Sequence, residues 1–200
     1  SYKFFINHSS ILMQSKDRRI IIYFEMIESK TEYRSLAKKI WTPDNILQNQ
    51  NMINTNLGKY LEDIFKVTMA YIAMEDEVDI LPCIKNLSST QFPYIKGSEI
   101  GNCKYSEDLV LNDMGFLVPK KIEVPREDPE IIIIPGRFFD TKGNRIGRGR
   151  GLYDKFLTKH HYATFVGISL DGTLTELLPN NGDDIKMDII ITEKEILNIK

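Results

Sequence analysis

The residues best placed for chemistry lie in one stretch, Gly143-Asn144-Arg145-Ile146-Gly147-Arg148-Gly149-Arg150-Gly151-Leu152-Tyr153-Asp154. Gly147, Gly149 and Gly151 alternate with Arg148 and Arg150, and Tyr153-Asp154 fall where a helix starts. Upstream, Glu130-Ile131-Ile132-Ile133-Ile134-Pro135-Gly136 reads as a buried strand running into a turn. Strand, glycine-arginine loop and helix are the layout of a phosphate cradle. Glycines let the backbone approach an anion and take a positive φ. N–H groups at a helix start point at the anion, and arginines fork onto its oxygens. The loop lacks the G-x4-G-K-[ST] of a P-loop, and its third glycine misses the dinucleotide fingerprint. On glycine spacing alone a flexible surface loop is as good a reading. The strand ahead and Arg145, Arg148 and Arg150 favour the anion site. Asp154 has two readings. It caps the helix or pairs with an arginine, or it holds Mg2+ beside a nucleotide phosphate.

The elements that must position this loop come from an ordinary single-domain chain. It has 200 residues, 42% of them hydrophobic, enough for a real core. A formal net charge of -2 advertises no nucleic-acid partner, and the positive charge is local, around residues 145–150. Cys83 and Cys103 match no metal or redox spacing. They read as two buried free thiols in a reducing cytoplasm. No apolar run approaches the ~20 residues of a membrane span; Ile20 to Phe24 is short and flanked by Arg18, Arg19 and Glu25. Residues 1–29 show no small-residue cleavage site. They read as an N-terminal extension whose role is open, with Ser1 as a processed or trimmed end. Residues 30–200 read as one α/β domain.

Tyr33, Leu36, Ala37 and Ile40 sit at helical spacing within residues 30–40. Thr42-Pro43-Asp44 starts a second helix, expected over 43–65. Val67 to Ala73 reads as a buried strand, and Glu77-Val78-Asp79-Ile80 as the opening of a helix reaching about Leu87. Gln91 to Ile95 and Cys103 to Tyr105 are short strands. Glu107 to Met114 is a short helix with a glycine C-cap at Gly115. Ile131 to Ile134 is the clearest strand, Leu152 to His160 is helical, and Phe165 to Ser169 and Asp188 to Thr192 are strands. The alternation predicts a three-layer α/β/α sandwich with a largely parallel central sheet. Asn180 to Asp184 reads as a polar turn.

The block Ile133-Ile134-Pro135-Gly136-x-x-Phe139-Asp140-x-x-Gly143-Asn144-Arg145-Ile146-Gly147-Arg148-Gly149-Arg150-Gly151-x-Tyr153-Asp154 resembles the signature of the 5-formyltetrahydrofolate cyclo-ligase family. Leu178-Pro179 through Asp184 and Met187 to Glu193 are similar to its downstream partner. Lys30-x-x-x-Arg34 is similar to the family's Lys-x-x-x-Arg, and Glu75 to Asp79 to its acidic turn. Gly115 to Pro119 matches its Gly-to-Pro motif loosely. The resemblance covers about residues 30–193. It implies an enzyme in which ATP phosphorylates the formyl oxygen of 5-formyltetrahydrofolate. N10 then attacks the activated carbon and phosphate leaves, giving 5,10-methenyltetrahydrofolate.

The resemblance also implies site roles. Lys30, Arg34, Arg145, Gly147, Arg148, Gly149, Arg150, Gly151 and Tyr153 would contact ATP. Glu77, Arg148, Gly149, Gly151 and Leu152 would contact the folate, with Arg148 and Tyr153 catalytic. Asp154 and Asp184 would carry Mg2+. It implies a cytoplasmic monomer whose partners are small molecules, with no nucleic acid or membrane. From spacing alone, Lys30 and Arg34 read as a solvated helix face, Glu77 as a helix-start acid and Tyr153 as a half-buried helix aromatic.

Several positions depart from the family pattern. Leu152 stands where the family has Tyr, Phe138 where it has a small residue, and Arg137 beside it is unusual. Ile80 replaces Thr, Tyr94 replaces Arg, Val118 replaces an acid or amide, and Asp183-Asp184 replaces His-Asp. Most of these are expected on the folate side, which motivates an alternative: a non-catalytic nucleotide- or folate-binding relative. A nucleic-acid module using the arginine loop ranks last, lacking an aromatic stacking platform. His8, His160 and His161 receive no catalytic role, the adjacent pair reading as surface residues at a helix end. Trp41 reads as packing.

Overall fold

Ser29 and Thr42 each start a helix by the chemistry that the sequence announces. Ser29 accepts from the Glu32 N–H at 3.2 Å, and the Glu32 carboxylate accepts from the Ser29 N–H at 3.1 Å. This reciprocal capping box opens α1 (Lys30–Ile40). Thr42 accepts from the Asn45 N–H, and Pro43 takes the first position of α2 (Pro43–Leu61). The computed structural model describes residues 29–199 apart from 86, 88, 98, 113–116 and 183. It also describes 3–7, 10–15 and 18–23 as strands.

Those first strands, β1 (Lys3–Asn7), β2 (Ser10–Ser15) and β3 (Arg18–Tyr23), pair in sequence order as an antiparallel sheet of their own. The rest of the chain supplies β4 (Thr68–Met69), the single-turn helix α3 (Leu81–Ile84), β5 (Thr90–Lys96) and β6 (Glu99–Lys104). Next come β7 (Leu109–Leu111), β8 (Leu117–Pro119), β9 (Ile131–Pro135), β10 (Phe138–Asp140) and β11 (Arg145–Ile146). Last are α4 (Leu152–Lys159), β12 (Thr164–Ile168), β13 (Leu174–Thr175), β14 (Ile189–Ile191) and β15 (Ile196–Asn198).

Seven strands form the central sheet in the order β15-β14-β12-β9-β4-β5-β6. The four inner pairings are parallel, and only the edges are antiparallel. Side-chain alternation splits the core into two layers. Ile131 and Ile133 face the cluster made with Tyr33, Ala37 and Ile40 of α1 and Ile53 and Leu57 of α2. Ile132 and Ile134 face Phe156 and Leu157 of α4 on the other side. Burial on both faces is why β9 is a solid isoleucine run rather than an alternating one. The α/β sandwich with a largely parallel sheet therefore stands.

Three element predictions need correction. The expected strand to Ala73 ends at Met69, because the chain leaves the sheet to close a turn in which Glu77 N–H donates to the Met74 carbonyl. The expected helix from Glu77 shrinks to Leu81–Ile84. Pro82 has no N–H to close a helical turn onto the Val78 carbonyl, which instead accepts from the Tyr71 hydroxyl at 2.7 Å. The expected helix at Glu107 is strand β7, which pairs with β8; a partner elsewhere in the chain overrides weak local periodicity. Gly115 lies outside the described residues, as does His8. His160 is not a surface residue: its ring packs 4.2 Å from that of Phe156 and Nδ1 faces the Phe156 carbonyl at 2.9 Å. His161 is exposed. Both cysteines are free, but only Cys103 is buried and Cys83 is half-buried. Burial pushes the Cys103 thiol up to about 11. Trp41 is packing, as expected, with its indole N–H donating to the Arg137 carbonyl at 2.9 Å.

The hairpin of β10 and β11, which launches the glycine-arginine loop, is organised by Asp140, a fully buried carboxylate. Oδ1 accepts from the backbone N–H groups of Lys142 and Asn144 at 2.9 and 2.8 Å. Oδ2 accepts from Asn144 Nδ2 and from Leu178 N–H at 2.8 and 2.9 Å. A buried charge is tolerated only when hydrogen-bonded in this way. Asp140→Ala would strand these donors and should lower the unfolding free energy by about 3–5 kcal/mol. A urea titration checks this: the midpoint should fall with an unchanged slope, and an unmoved midpoint would remove Asp140 from this role.

Candidate active site

The loop that follows β11 needs backbone freedom and receives it at one position above others. Gly149 has φ +95°, and a Cβ there would lie 3.1 Å from the Arg34 guanidinium carbon. A side chain at this position would be strained and would also push on a cation. The close approach is mutual, since Arg34 Nε donates to the Gly147 carbonyl at 3.0 Å. Helix α1 thus grips the loop from outside. At the far end of the loop, α4 begins after Gly151 with no side-chain cap, which leaves its first turn to a ligand or solvent.

The C-terminal segment closes onto the same loop. Asn180 Nδ2 donates to Asn144 Oδ1 at 2.8 Å, and Met187 N–H donates to the Gly143 carbonyl at 2.8 Å. Together with the Leu178–Asp140 bond, these contacts bring Asp184 beside the loop. Lys30, Arg34, Glu77, Arg145, Gly147, Arg148, Gly149, Arg150, Gly151, Leu152, Tyr153, Asp154 and Asp184 all line one cavity of about 320 Å³. Every residue that the sequence singled out for a site is therefore brought to one place.

Cations of this cavity are matched by carboxylates. Lys30 Nζ meets Asp184 Oδ2 at 2.5 Å, and Arg145 Nη2 meets Asp154 Oδ1 at 3.0 Å. Arg148 bonds Glu77 Oε1 through Nε at 3.1 Å and Asp76 Oδ1 through Nη2. Arg137 Nη2 takes the other oxygen of the same Asp76 carboxylate. Burial pushes Asp76 up, but its hydrogen bond to Arg148 and the charges of Arg137 and Arg148 outweigh it, leaving the carboxyl below its ordinary range. Asp184 is balanced alike: burial raises it, and Lys30 with the Asn181 N–H brings it below the usual value. Burial, then the charge of Glu77, pushes the Tyr153 hydroxyl far up, so it remains a neutral donor and acceptor at neutral pH. The Arg145 guanidinium lies 5.6 Å from the centre of the Tyr153 ring.

An apolar wall of the same cavity is built from Ile72, Pro93, Ile95, Ile100, Leu117 and Val118. The departures from the family pattern divide between this wall and the core. Leu152 and Val118 line the cavity. Phe138 does not: it is fully buried and packs edge-on against Tyr33, with ring centres 4.9 Å apart. Ile80 is likewise a core residue. Both changes answer to packing, which corrects their expected place on the folate side. Asp183 lies outside the described residues.

Sequence reasoning gave no role to Asp76, Arg137 or Asp140. Asp76 was one acid among several in residues 75–79, and nothing in the spacing distinguishes the one facing two arginines. Asp140 stood inside a quoted motif, and its buried, four-donor setting is visible only in three dimensions. The Arg137 and Arg145 side chains are 10% and 6% exposed, so most of each is enclosed by the protein. Among the described residues no three His, Cys, Asp or Glu side chains gather as a metal cage. None of the described helices is long and apolar enough to cross a membrane.

Comparison with known proteins places this arrangement. Residues 37–193 match the 5-formyltetrahydrofolate cyclo-ligase family, with Lys30 and Arg34 just ahead of the matched span. The 5-formyltetrahydrofolate cyclo-ligase of Escherichia coli (strain K12) is 26% identical over 174 residues, covering 80% of this chain and 96% of that protein. The mitochondrial 5-formyltetrahydrofolate cyclo-ligase of Arabidopsis thaliana is 29% identical over 116 residues, covering 48% of this chain and 42% of that protein. The chain thus spans less than half the length of the Arabidopsis relative and nearly all of the bacterial one. The NMR structure of Aquifex aeolicus 5,10-methenyltetrahydrofolate synthetase superposes with a TM-score of 0.73 at 28% identity, covering 86% of this chain and 93% of that one. With the family match running through β4, β9, the glycine-arginine loop, α4 and β14, the chain belongs to the 5-formyltetrahydrofolate cyclo-ligase family.

Proposed function

We propose that this chain converts 5-formyltetrahydrofolate to 5,10-methenyltetrahydrofolate with ATP and Mg2+. The observation that carries the proposal is one cavity lined together by the glycine-arginine loop, by Glu77 and by a set of apolar side chains. One side suits a polyphosphate and the other a flat, mostly apolar ring system with a few polar edges. The formyl oxygen attacks the γ-phosphorus and ADP leaves. N10 then attacks the activated carbon, loses its proton, and inorganic phosphate departs.

The chain's own groups have separable tasks in this scheme. Lys30, Arg34, Arg145 and Arg150 hold phosphate oxygens, with the backbone of Gly147, Gly149 and Gly151 and the start of α4 beside them. Arg148 spans the transferring phosphoryl group and the formyl oxygen, where negative charge moves during both steps. Glu77 accepts from the pterin N–H and amino donors. Tyr153, kept neutral, orients the folate, and Leu152 packs against it. Asp154 and Asp184 are the carboxylates for Mg2+, which binds through one or two carboxylates plus phosphate oxygens and water.

The ion pairs support the requirement for a metal. A nucleotide alone would draw Lys30 and Arg145 onto phosphate and leave Asp184 and Asp154 without their cations. A nucleotide carrying a divalent cation replaces both halves of each pair. Residues 30–200 are taken as the catalytic domain and 1–29 as an extension to it. The proposal includes a monomer in a reducing cytoplasm, in keeping with the free thiols.

The direct test is absorbance in the methenyl-folate band after mixing protein, 5-formyltetrahydrofolate and MgATP. A rise requiring both ATP and Mg2+ is expected; no rise would overturn the proposal. Arg148→Ala should lower kcat by about 10²- to 10³-fold, as for loss of one donor to a developing charge. Asp154→Ala should raise the Mg2+ concentration needed for half-maximal rate, with the thermal midpoint of either variant little changed. Full activity in either would remove the phosphate-cradle assignment.

A pH prediction follows from Asp184. Its carboxyl is held below the usual value, so its contribution to stability is complete above about pH 4 and is lost as pH falls through its folded value. Unfolding free energy measured from about pH 6 down to about pH 2 should therefore drop less steeply in Asp184→Asn than in the parent. Parallel curves would show that the Lys30–Asp184 pair contributes nothing.

A further inference from the structure

Arg137 is the one arginine near the loop that has no part in the scheme above, yet it is the most firmly built. It directly follows Gly136 at the end of β9, between the central sheet and the β10–β11 hairpin. Its carbonyl accepts from the Trp41 indole N–H at 2.9 Å, and its guanidinium lies 5.7 Å from the centre of the Trp41 ring. Backbone and side chain are thus fixed by one aromatic residue that closes α1. Its two terminal nitrogens both go to Asp76: Nη1 donates to the backbone carbonyl at 2.9 Å and Nη2 to carboxylate Oδ2. A fork of this kind fixes position and orientation together.

The other oxygen of Asp76 accepts from Arg148, and Arg148 also bonds Glu77. A continuous chain of contacts therefore runs Trp41, Arg137, Asp76, Arg148, Glu77. Its last two members are those to which the proposed function gives the transferring phosphoryl group and the pterin ring. Two arginines and two acids also make this cluster formally neutral. Removing Arg137 would leave a net negative charge beside the place where phosphate must sit. It would also let Asp76 rotate onto Arg148 as its sole partner and hold it back from a ligand.

We infer that Arg137 is a positioning residue: acting through the shared Asp76 carboxylate, it sets Arg148 and Glu77 in register with each other. The inference rests on the proposed reaction for its meaning, and on the contacts of the Asp76 carboxylate for its geometry. Lysine cannot substitute fully, because one ammonium cannot donate in parallel to a carbonyl and a carboxylate from a planar fork.

The test is a cycle of Arg137→Gln, Asp76→Asn and the double variant, with Arg137→Lys alongside, each checked for its thermal midpoint. Steady-state turnover of 5-formyltetrahydrofolate with MgATP is read together with calorimetric affinity for MgATP alone. Arg137→Gln and Asp76→Asn should each lower kcat/KM by about ten- to a hundredfold, as for a small misplacement of a reacting group. The double variant should be no worse than the poorer single one, since both act through one contact. Arg137→Lys should recover part of the loss by restoring charge. A purely structural role would lower the midpoint but leave KM, MgATP affinity and the lysine rescue unmoved. Multiplying losses in the double variant, or unchanged kinetics in Arg137→Gln, would overturn the inference. If the parent forms no methenyl product, the reaction itself fails. MgATP affinity then still decides: weaker binding in Arg137→Gln, shared with Asp76→Asn, upholds the positioning role, and equal binding removes it.

Discussion

The Asp140 carboxylate is the point from which the site is built. It lies at the centre of a tight turn, and its four hydrogen bonds reach two separate pieces of chain: its own turn, through Lys142 and Asn144, and the Leu178 backbone. Burying an ion costs several kcal/mol unless it is fully bonded, so the turn and the C-terminal segment cannot separate without exposing that cost. One consequence is that the glycine-arginine loop leaves a rigid base although the loop itself is rich in glycine. Another is that Asp184, distant from Asp140 along the chain, is delivered to the loop. The rigidity that catalysis requires is placed under the loop rather than within it.

Above that base, electrostatics are arranged as exchangeable pairs. A cluster of bare cations would bind phosphate strongly but would repel itself and destabilise the free protein. Pairing Lys30 with Asp184, Arg145 with Asp154 and Arg148 with Asp76 and Glu77 removes that cost. Each pair then selects what can replace it. A simple anion satisfies only the cations, and a metal ion satisfies only the carboxylates. A metal-bound nucleotide would satisfy both, so under the proposed reaction the free-state pairs act as a filter for it. The apolar part of the cavity lining adds no competing charge and lowers the local dielectric, which strengthens each of these contacts.

Much of this was legible in the sequence, for identifiable reasons. The caps Ser29 and Thr42 act within a few residues, and the solid run Ile131 to Ile134 has one explanation in a buried parallel strand. The residues that line the cavity could be named together because they fall in a few short motifs along the chain. What stayed hidden depends on contacts distant in sequence. The two-residue strands at Arg145–Ile146 and Leu174–Thr175 have no period to detect. Leu109 to Leu111 is a strand only because Leu117 to Pro119 lies beside it. His160 sits in a surface-like pair, and its burial against Phe156 follows from how α4 packs on the sheet. The acids of residues 75–79 look interchangeable until two arginines choose Asp76.

The same contrast explains how a chain can depart from a family pattern and keep its site. Phe138 is large where a small residue is usual, but it fills space against Tyr33 on the inner face of α1. Tyr33 lies between Lys30 and Arg34 on that helix, so the packing that absorbs the bulky residue also sets the helix bearing two cavity cations. Arg137, its neighbour, turns the other way and anchors the acidic turn. Two adjacent changes, where β9 gives way to β10, thus support α1 and the acidic turn, which both line a single cavity. Core packing is sensitive to volumes as small as a methylene, so such changes persist only where the surroundings are built around them. Phe138 and Arg137 are therefore supports for elements that line the cavity.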